Sequence, residues 1–464
     1  MKYLTCLLVV LALGCEDTGV MSAPDAGTTS GRDSGPRPVP EALSYTPEGC
    51  AYEVSTPEVR EARMSGDVTG SAPEPAFIHA GWAGPTDGTF AVNWRTDEAT
   101  TVSQILYGVD EAAVRDADAP DEAAGVYAQI GHQVLFEALV GGPIRLHETH
   151  VCGLDPGTTY YYKVGGPGAW SAPYDVATAP PVGATTPFTF AVTGDSRNDS
   201  IVWAEIQSKL AARMPDFQLF SGDAVVLGAN QPEWDGFFGE SYMGTNVQEI
   251  FARIPMLPAN GNHDALSVNY VLQFALPQDA SSGELAQGEQ WYSFDYANTH
   301  FVVLDDSADE ALVAAQASWL EEDLSALDRA VTPWIVVMHH KAPYSCSNHG
   351  SQMDLREAWQ PVYDLHAVDL VLNGHDHVYE RSQPIRGFEP GTTEGRIVPE
   401  GDGTTYVVAG GAGAPLYGIG TDCAHTAHTE SVNHYAIVEV ADTTLTFTAY
   451  RIDETVLDTF TLTK

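Results

Sequence analysis

The sequence predicts an all-β sandwich followed by a layered α/β domain. Three observations carry this expectation. Runs rich in aromatic and β-branched residues, such as Phe90-Ala91-Val92-Asn93-Trp94 and Tyr160-Tyr161-Tyr162-Lys163-Val164, lie before residue 181. From Pro187 onward, apolar strand-like runs alternate with helix-like ones. Several of the later strand-like runs end in Gly, Asp, Asn or His, at the point where a strand opens into a loop and chemistry is usually carried.

The chain has 464 residues, which suggests two or three domains, and 44% hydrophobic with 18% charged residues gives ample core. Net charge is −42, from 63 acidic and 21 basic residues. Lysine occurs only at Lys2, Lys163, Lys209, Lys341 and Lys464. Such a surface argues against a nucleic-acid-binding role or general adhesion to anionic lipid.

Taken in order, residues 1–14 read as an export signal, Lys2 followed by a mostly apolar run from Leu4 to Leu13. That run is about half the ~20 residues that span a bilayer. The ending Leu11-Ala12-Leu13-Gly14-Cys15 resembles a bacterial lipoprotein processing box. The resemblance implies cleavage before Cys15 and a lipid on its thiol, an outer-membrane or cell-surface anchor; plain secretion is the alternative. Residues 15–45, rich in Gly, Ser, Pro and Asp, have little to bury and read as a disordered tether. An N-terminal extension, 46–71, leads into the sandwich, 72–181. Within it, Leu154-Asp155-Pro156-Gly157-Thr158-Thr159-Tyr160 is similar to the loop-and-tyrosine signature of fibronectin type III domains. The second domain, 186–464, should hold strands over 188–192, 217–220, 301–304, 334–338 and 368–372. Helices are expected over 201–214, 310–327 and 353–366, and further strands over 405–409 and within 435–450.

Beyond Cys6 and Cys15 of the leader region, four cysteines lie in the body of the chain, and an even number in an exported chain suggests two disulfides. Of the three pairings, Cys50–Cys152 with Cys346–Cys423 keeps the front of the chain unlinked to the second domain. Free thiols are the alternative.

Five strand ends then supply ligand-type residues: Gly194-Asp195, Gly222-Asp223, Asn260-Gly261-Asn262-His263-Asp264, His339-His340 and Asn373-Gly374-His375-Asp376-His377. In extended chain His375 and His377 would face one way and Asp376 the other. Carboxylate and amide oxygens mixed with imidazoles suit Zn, Mn or Fe. One such motif is weak; five in this order are specific.

On these residues the chain resembles the calcineurin-like metallophosphoesterases and, within them, the purple acid phosphatases. The run from Gly374 to Ser382 and Val336-Val337-Met338-His339 carry the closer likeness. A sandwich in front of the catalytic domain is likewise found in plant purple acid phosphatases. The resemblance implies two metal ions, the first on Asp195, Asp223 and His377, the second on Asp223, Asn262, His339 and His375, with Asp223 shared. It also implies a metal-bound hydroxide that attacks a phosphate monoester, and histidines at His263 and His349 that touch substrate. Two positions depart from the pattern. Val226 stands where the purple enzymes have a tyrosine ligand, and Arg197 where other metallophosphoesterases have a histidine. Asn198 is a substitute ligand to consider, and Arg197 is expected to meet a phosphate oxygen. A phosphodiesterase or nucleotidase with the same centre is the alternative enzyme; a non-catalytic surface-binding module is the alternative of another class.

Overall fold

Two five-stranded sheets form the front of the computed structural model, which describes residues 40–265, 267–278, 289–307, 310–421 and 423–464. The expected export signal, the Cys15 anchor and the tether up to residue 39 lie outside the described residues. Among the described residues, no helix is long and apolar enough to cross a membrane.

One front sheet orders Glu61–Met64, His132–Ala138, Gly142–Cys152, Thr89–Thr96 and Ala76–Gly81. The other is built on Thr159–Gly166, which pairs with Gln104–Gly108, Ala169–Trp170 and Tyr174–Ala177. Alternation along these strands buries Val92, Trp94, Tyr162 and Val164. The Tyr160 hydroxyl accepts the Asp155 N–H at 3.0 Å, so the turn singled out in the sequence is closed by its own tyrosine. Cys50 and Cys152 are bridged, as are Cys346 and Cys423, the preferred pairing.

The second half stacks a six-stranded sheet on a seven-stranded one. In the first, Phe188–Thr193, Phe217–Phe220 and Met256–Pro258 run parallel, and the meander of His434–Ala441, Thr444–Arg451 and Val456–Thr463 continues the sheet antiparallel. In the second, Thr299–Val303, Trp334–Met338, Leu370–Asn373 and Thr405–Ala409 are parallel. Phe190 and Phe217 of one sheet meet Phe301 of the other edge-on, at 5.2 and 5.3 Å between ring centroids. Helices Glu310–Ala326 and Met353–His366 cover the outer face of the seven-stranded sheet, where Trp359 donates to the Val313 carbonyl. Trp82 of the front sheets packs on Phe217 and Tyr296, so one apolar core runs through both halves. The carboxyl ends of the parallel strands open at one edge of the stacked sheets, and there the ligand-type residues gather.

Candidate metal centre

Backbone that leaves a strand and turns at once must adopt uncommon dihedrals. Asp195, Asp223 and His375 all have positive φ, at 58°, 59° and 66°. Each such non-glycine residue costs on the order of 1–3 kcal/mol, a cost met by the surrounding packing. A Cβ on Gly261 would collide with Asp223, and one on Gly374 with the Asp195 carboxylate. These two glycines let the loops close to ligand distance.

Asp223 lies at the middle, buried, with its two oxygens turned to different neighbours. On the Oδ1 side, His340 Nδ1 is 2.8 Å from the Ser221 carbonyl. That oxygen only accepts, so Nδ1 carries a proton and Nε2 is left facing the centre. Around Nε2 lie Asn262 Oδ1 at 3.2 Å, Asp223 Oδ1 at 3.3 Å and His375 Nδ1 at 3.2 Å. Burial lowers the His340 pKa, but the Asp223 charge outweighs it and drives the pKa up to about 10. Burial would raise the Asp223 carboxyl, yet His340 and the His263 N–H hold it well below the usual range. His375 falls to about 2, through burial and the neighbouring His340. At most one Nε2 proton serves three acceptors, and such a cluster suits a cation with several vacant coordination positions.

On the Oδ2 side, Asp195, Asp223 and His377 bring one ligand atom each within 4.8 Å of one another. His377 Nδ1 is 2.7 Å from the Pro415 carbonyl, which fixes Nε2 as the inward acceptor. Burial, with Arg197 adding, lowers His377 to about 4. Burial pushes Asp195 well above the normal carboxylate range. The Arg197 side chain enters this set: its Nε donates to Asp223 Oδ2 at 3.1 Å, and its Nη2 donates to His377 Nε2 at 3.1 Å.

Three more groups form the rim. His263 Nδ1 is 2.7 Å from the Val226 carbonyl, which leaves Nε2 4.0 Å from Asp223 Oδ2. The His349 ring stacks on His375 at 4.1 Å, and its Nε2 is 3.4 Å from the Tyr417 hydroxyl. Tyr417 stacks on His377 at 3.9 Å.

Of the residues expected from the sequence, Asp195, Asp223, Asn262, His375 and His377 meet, with His263, His349 and Arg197 beside them. His339 does not join them, and His340 takes its place. Side chains of a strand alternate between its faces. On Trp334–Met338, Val336 and Met338 face the core between the sheets while Ile335 and Val337 face the helices. Continued, that alternation sends His339 to the helix side, where it packs edge-on against Trp359 and lies 3.0 Å from Asp306 Oδ2. His340 turns inward. The extended reading of 375–377 is also corrected: His375 is left-handed, so the two histidines reach opposite sides of Asp223. Asp376 accepts the His349 N–H at 3.0 Å. Asn198 contributes its side-chain oxygen to Arg197 Nη1 at 3.1 Å. Tyr417 was missed because it sits in an irregular loop with no motif around it. Its neighbours Gly410-Gly411-Ala412-Gly413 form a tight loop beside the centre, with the Ala412 N–H on the Gly194 carbonyl.

Both halves of the chain are similar to known proteins. Residues 188–379 match the family described as calcineurin-like phosphoesterase, and residues 75–178 match the purple acid phosphatase N-terminal domain. The chain thus joins a purple acid phosphatase-type N-terminal domain to a calcineurin-like metallophosphoesterase domain. It is 27% identical to purple acid phosphatase 18 of Arabidopsis thaliana over 68% of this chain and 68% of that protein. With purple acid phosphatase 21 of the same plant the figures are 27%, 75% and 78%. A purple acid phosphatase from yellow lupin seeds shares the fold, with a TM-score of 0.70 over 84% of this chain and 74% of that one, at 19% identity. This metallophosphoesterase is therefore a metal-dependent phosphoric ester hydrolase.

Proposed function

We propose that this metallophosphoesterase is an exported, acid phosphatase-like enzyme that hydrolyses phosphate monoesters at the Asp223 centre. The observation that carries the reading is the convergence of Asp223 Oδ1, Asn262 Oδ1 and His375 Nδ1 on His340 Nε2. These four side chains would hold a cation such as Zn, Mn or Fe. Bound there, it supplies positive charge for the phosphoryl oxygens and an acidified water.

The chain's own groups do the rest. The Ser221 carbonyl orients His340, and the His263 N–H holds Asp223 Oδ1 in place. His263, with Nδ1 tied to Val226, presents Nε2 to a leaving oxygen and donates a proton to it. His349, stacked on His375, offers a second donor to the phosphate. The two-ion pattern of the family applies in full where both sides of Asp223 accept an ion. The two disulfides and the apolar leader support an oxidising compartment outside the cytosol, with Cys15 as lipid anchor.

The test is hydrolysis of p-nitrophenyl phosphate against bis-p-nitrophenyl phosphate, before and after chelation. Monoester cleavage that chelator abolishes and added metal restores is expected. Faster diester cleavage would move the reading to a phosphodiesterase; inertness to both substrates with metal bound would end it.

A further inference from the structure

The two sides of Asp223 do not suit a metal equally well. Resting on the metallophosphoesterase reading, we propose that the Arg197 guanidinium stands where the first cation would stand. The chain would then carry one metal, on Asp223, Asn262, His340 and His375, beside a fixed organic cation.

His377 Nδ1 gives its hydrogen to Pro415, so the ring has a single lone pair, on Nε2. Arg197 Nη2 already points at it from 3.1 Å. Asp223 Oδ2, the oxygen on this side, accepts Arg197 Nε at 3.1 Å. Both Asp195 oxygens lie within 3.1 Å of the His375 N–H. Two of the three candidate ligand atoms are thus engaged by one planar, donor-only group, and a guanidinium has no lone pair with which to ligate. A divalent ion at this position would also sit against that positive charge.

The guanidinium is held where it lies. Its Nη1 donates to Asn198 Oδ1 at 3.1 Å, Asn198 itself being left-handed at φ 79°. The side chain is only 12% exposed. Tyr417 packs flat on His377 and donates its backbone N–H to the His377 carbonyl at 3.1 Å, which fixes the ring that Arg197 addresses. The chain also lacks donors that would compensate. Val226 and Arg197 fill the two positions where the family resemblance calls for a tyrosine or a histidine. Substituting an arginine for an ion keeps the pocket cationic for phosphate while removing one coordination site.

The test is metal stoichiometry of the full-length protein, measured with Mn²⁺ alone by elemental analysis and by electron paramagnetic resonance. One tight equivalent and the spectrum of an isolated ion are expected for the parent, with any second equivalent at least about 100-fold weaker. Arg197→His, which returns a nitrogen ligand, should take two equivalents and show exchange coupling between them. Arg197→Ala should also gain a second equivalent, and Arg197→Lys should stay at one. Two tight, coupled ions in the parent would overturn the proposal. So would an Arg197→His protein, folded by circular dichroism, that still binds one. A parent that binds no Mn²⁺ would take the metal centre down with it; a parent with one ion and no hydrolysis would sink only the phosphatase reading.

Discussion

Among the described residues, a buried cluster of histidines and carboxylates in the front sheets contrasts with the one at the strand ends of the second half, and the latter has the makings of a reaction centre. In the front sheets, Glu148 Oε1 lies 2.7 Å from His150 Nε2, and Glu148 Oε2 accepts from Asn93 at 2.8 Å. The Tyr45 hydroxyl meets His132 Nδ1, and the Tyr52 hydroxyl meets His150 Nδ1, each at 3.1 Å. His147 lies between the Ser103 and Thr96 hydroxyls, at 2.6 Å on each nitrogen. Donors and acceptors are matched there. At the strand ends of the second half they are not: acceptors crowd onto His340 Nε2, and three residues hold left-handed backbone to bring them together. A satisfied polar cluster stabilises a fold; an excess of inward lone pairs calls for a cation.

The sharpest way to break this contrast is to neutralise one carboxylate in each cluster. Asp223→Asn should lower kcat/KM by on the order of 10³-fold or more while remaining folded by circular dichroism. Glu148→Gln should leave kcat/KM within about twofold and cost about 3 kcal/mol in denaturant unfolding, because it breaks a buried pair. Loss of metal or hydrolysis in the second variant would erase the distinction.

Next in size is the neighbouring histidine pair. His340→Ala should lose roughly 10²-fold in metal affinity and activity. His339→Ala should keep its metal and cost about 1–3 kcal/mol of stability, since Asp306 loses a buried partner. The reverse order would restore His339 as the ligand.

A titration sharpens the contrast further. Burial lowers His147 to about 3, below the ~6.5 of an unfolded chain. The unfolded state then binds more protons, so this contribution is complete above pH ~6.5 and is lost as pH falls towards 3. His300 runs the other way. Burial lowers its pKa, but the Asp295 and Asp323 carboxylates outweigh that and raise it to about 9. Its contribution is present below pH ~6.5 and is lost as pH rises through about 9. Melting temperature against pH should therefore decline at both ends, with His147→Gln flattening the acid limb and His300→Gln the alkaline one.

The smallest expected effect is at the rim. Tyr417→Phe keeps the ring stacked on His377 and removes only the hydroxyl, which lies near His349 and Arg197, so KM should shift by less than about threefold. A tenfold change in kcat would make that hydroxyl part of the chemistry.

How much of this was legible beforehand varies by element. Strands 217–220 and 334–338 and helix 353–366 fall where the apolar pattern puts them, because buried strands and amphipathic helices write their period into the sequence. The chain between Tyr435 and Tyr450 is a hairpin with its turn after Ala441. The choice between His339 and His340 was not legible. It depends on which face of Trp334–Met338 meets the other sheet, and an apolar strand covered on both faces carries no sign of that.

By itself the sequence determined the order of ligand-bearing strand ends, the glycines that let them approach, and the absence of a tyrosine at 226 and a histidine at 197. The tertiary structure alone decided that His340 turns inward, that Tyr417 closes over His377, and that Arg197 points into the ligand set instead of into solvent. The physical reason is that ligand type is a property of the residue, whereas lone-pair direction depends on strand parity and on partners up to 180 residues away along the chain.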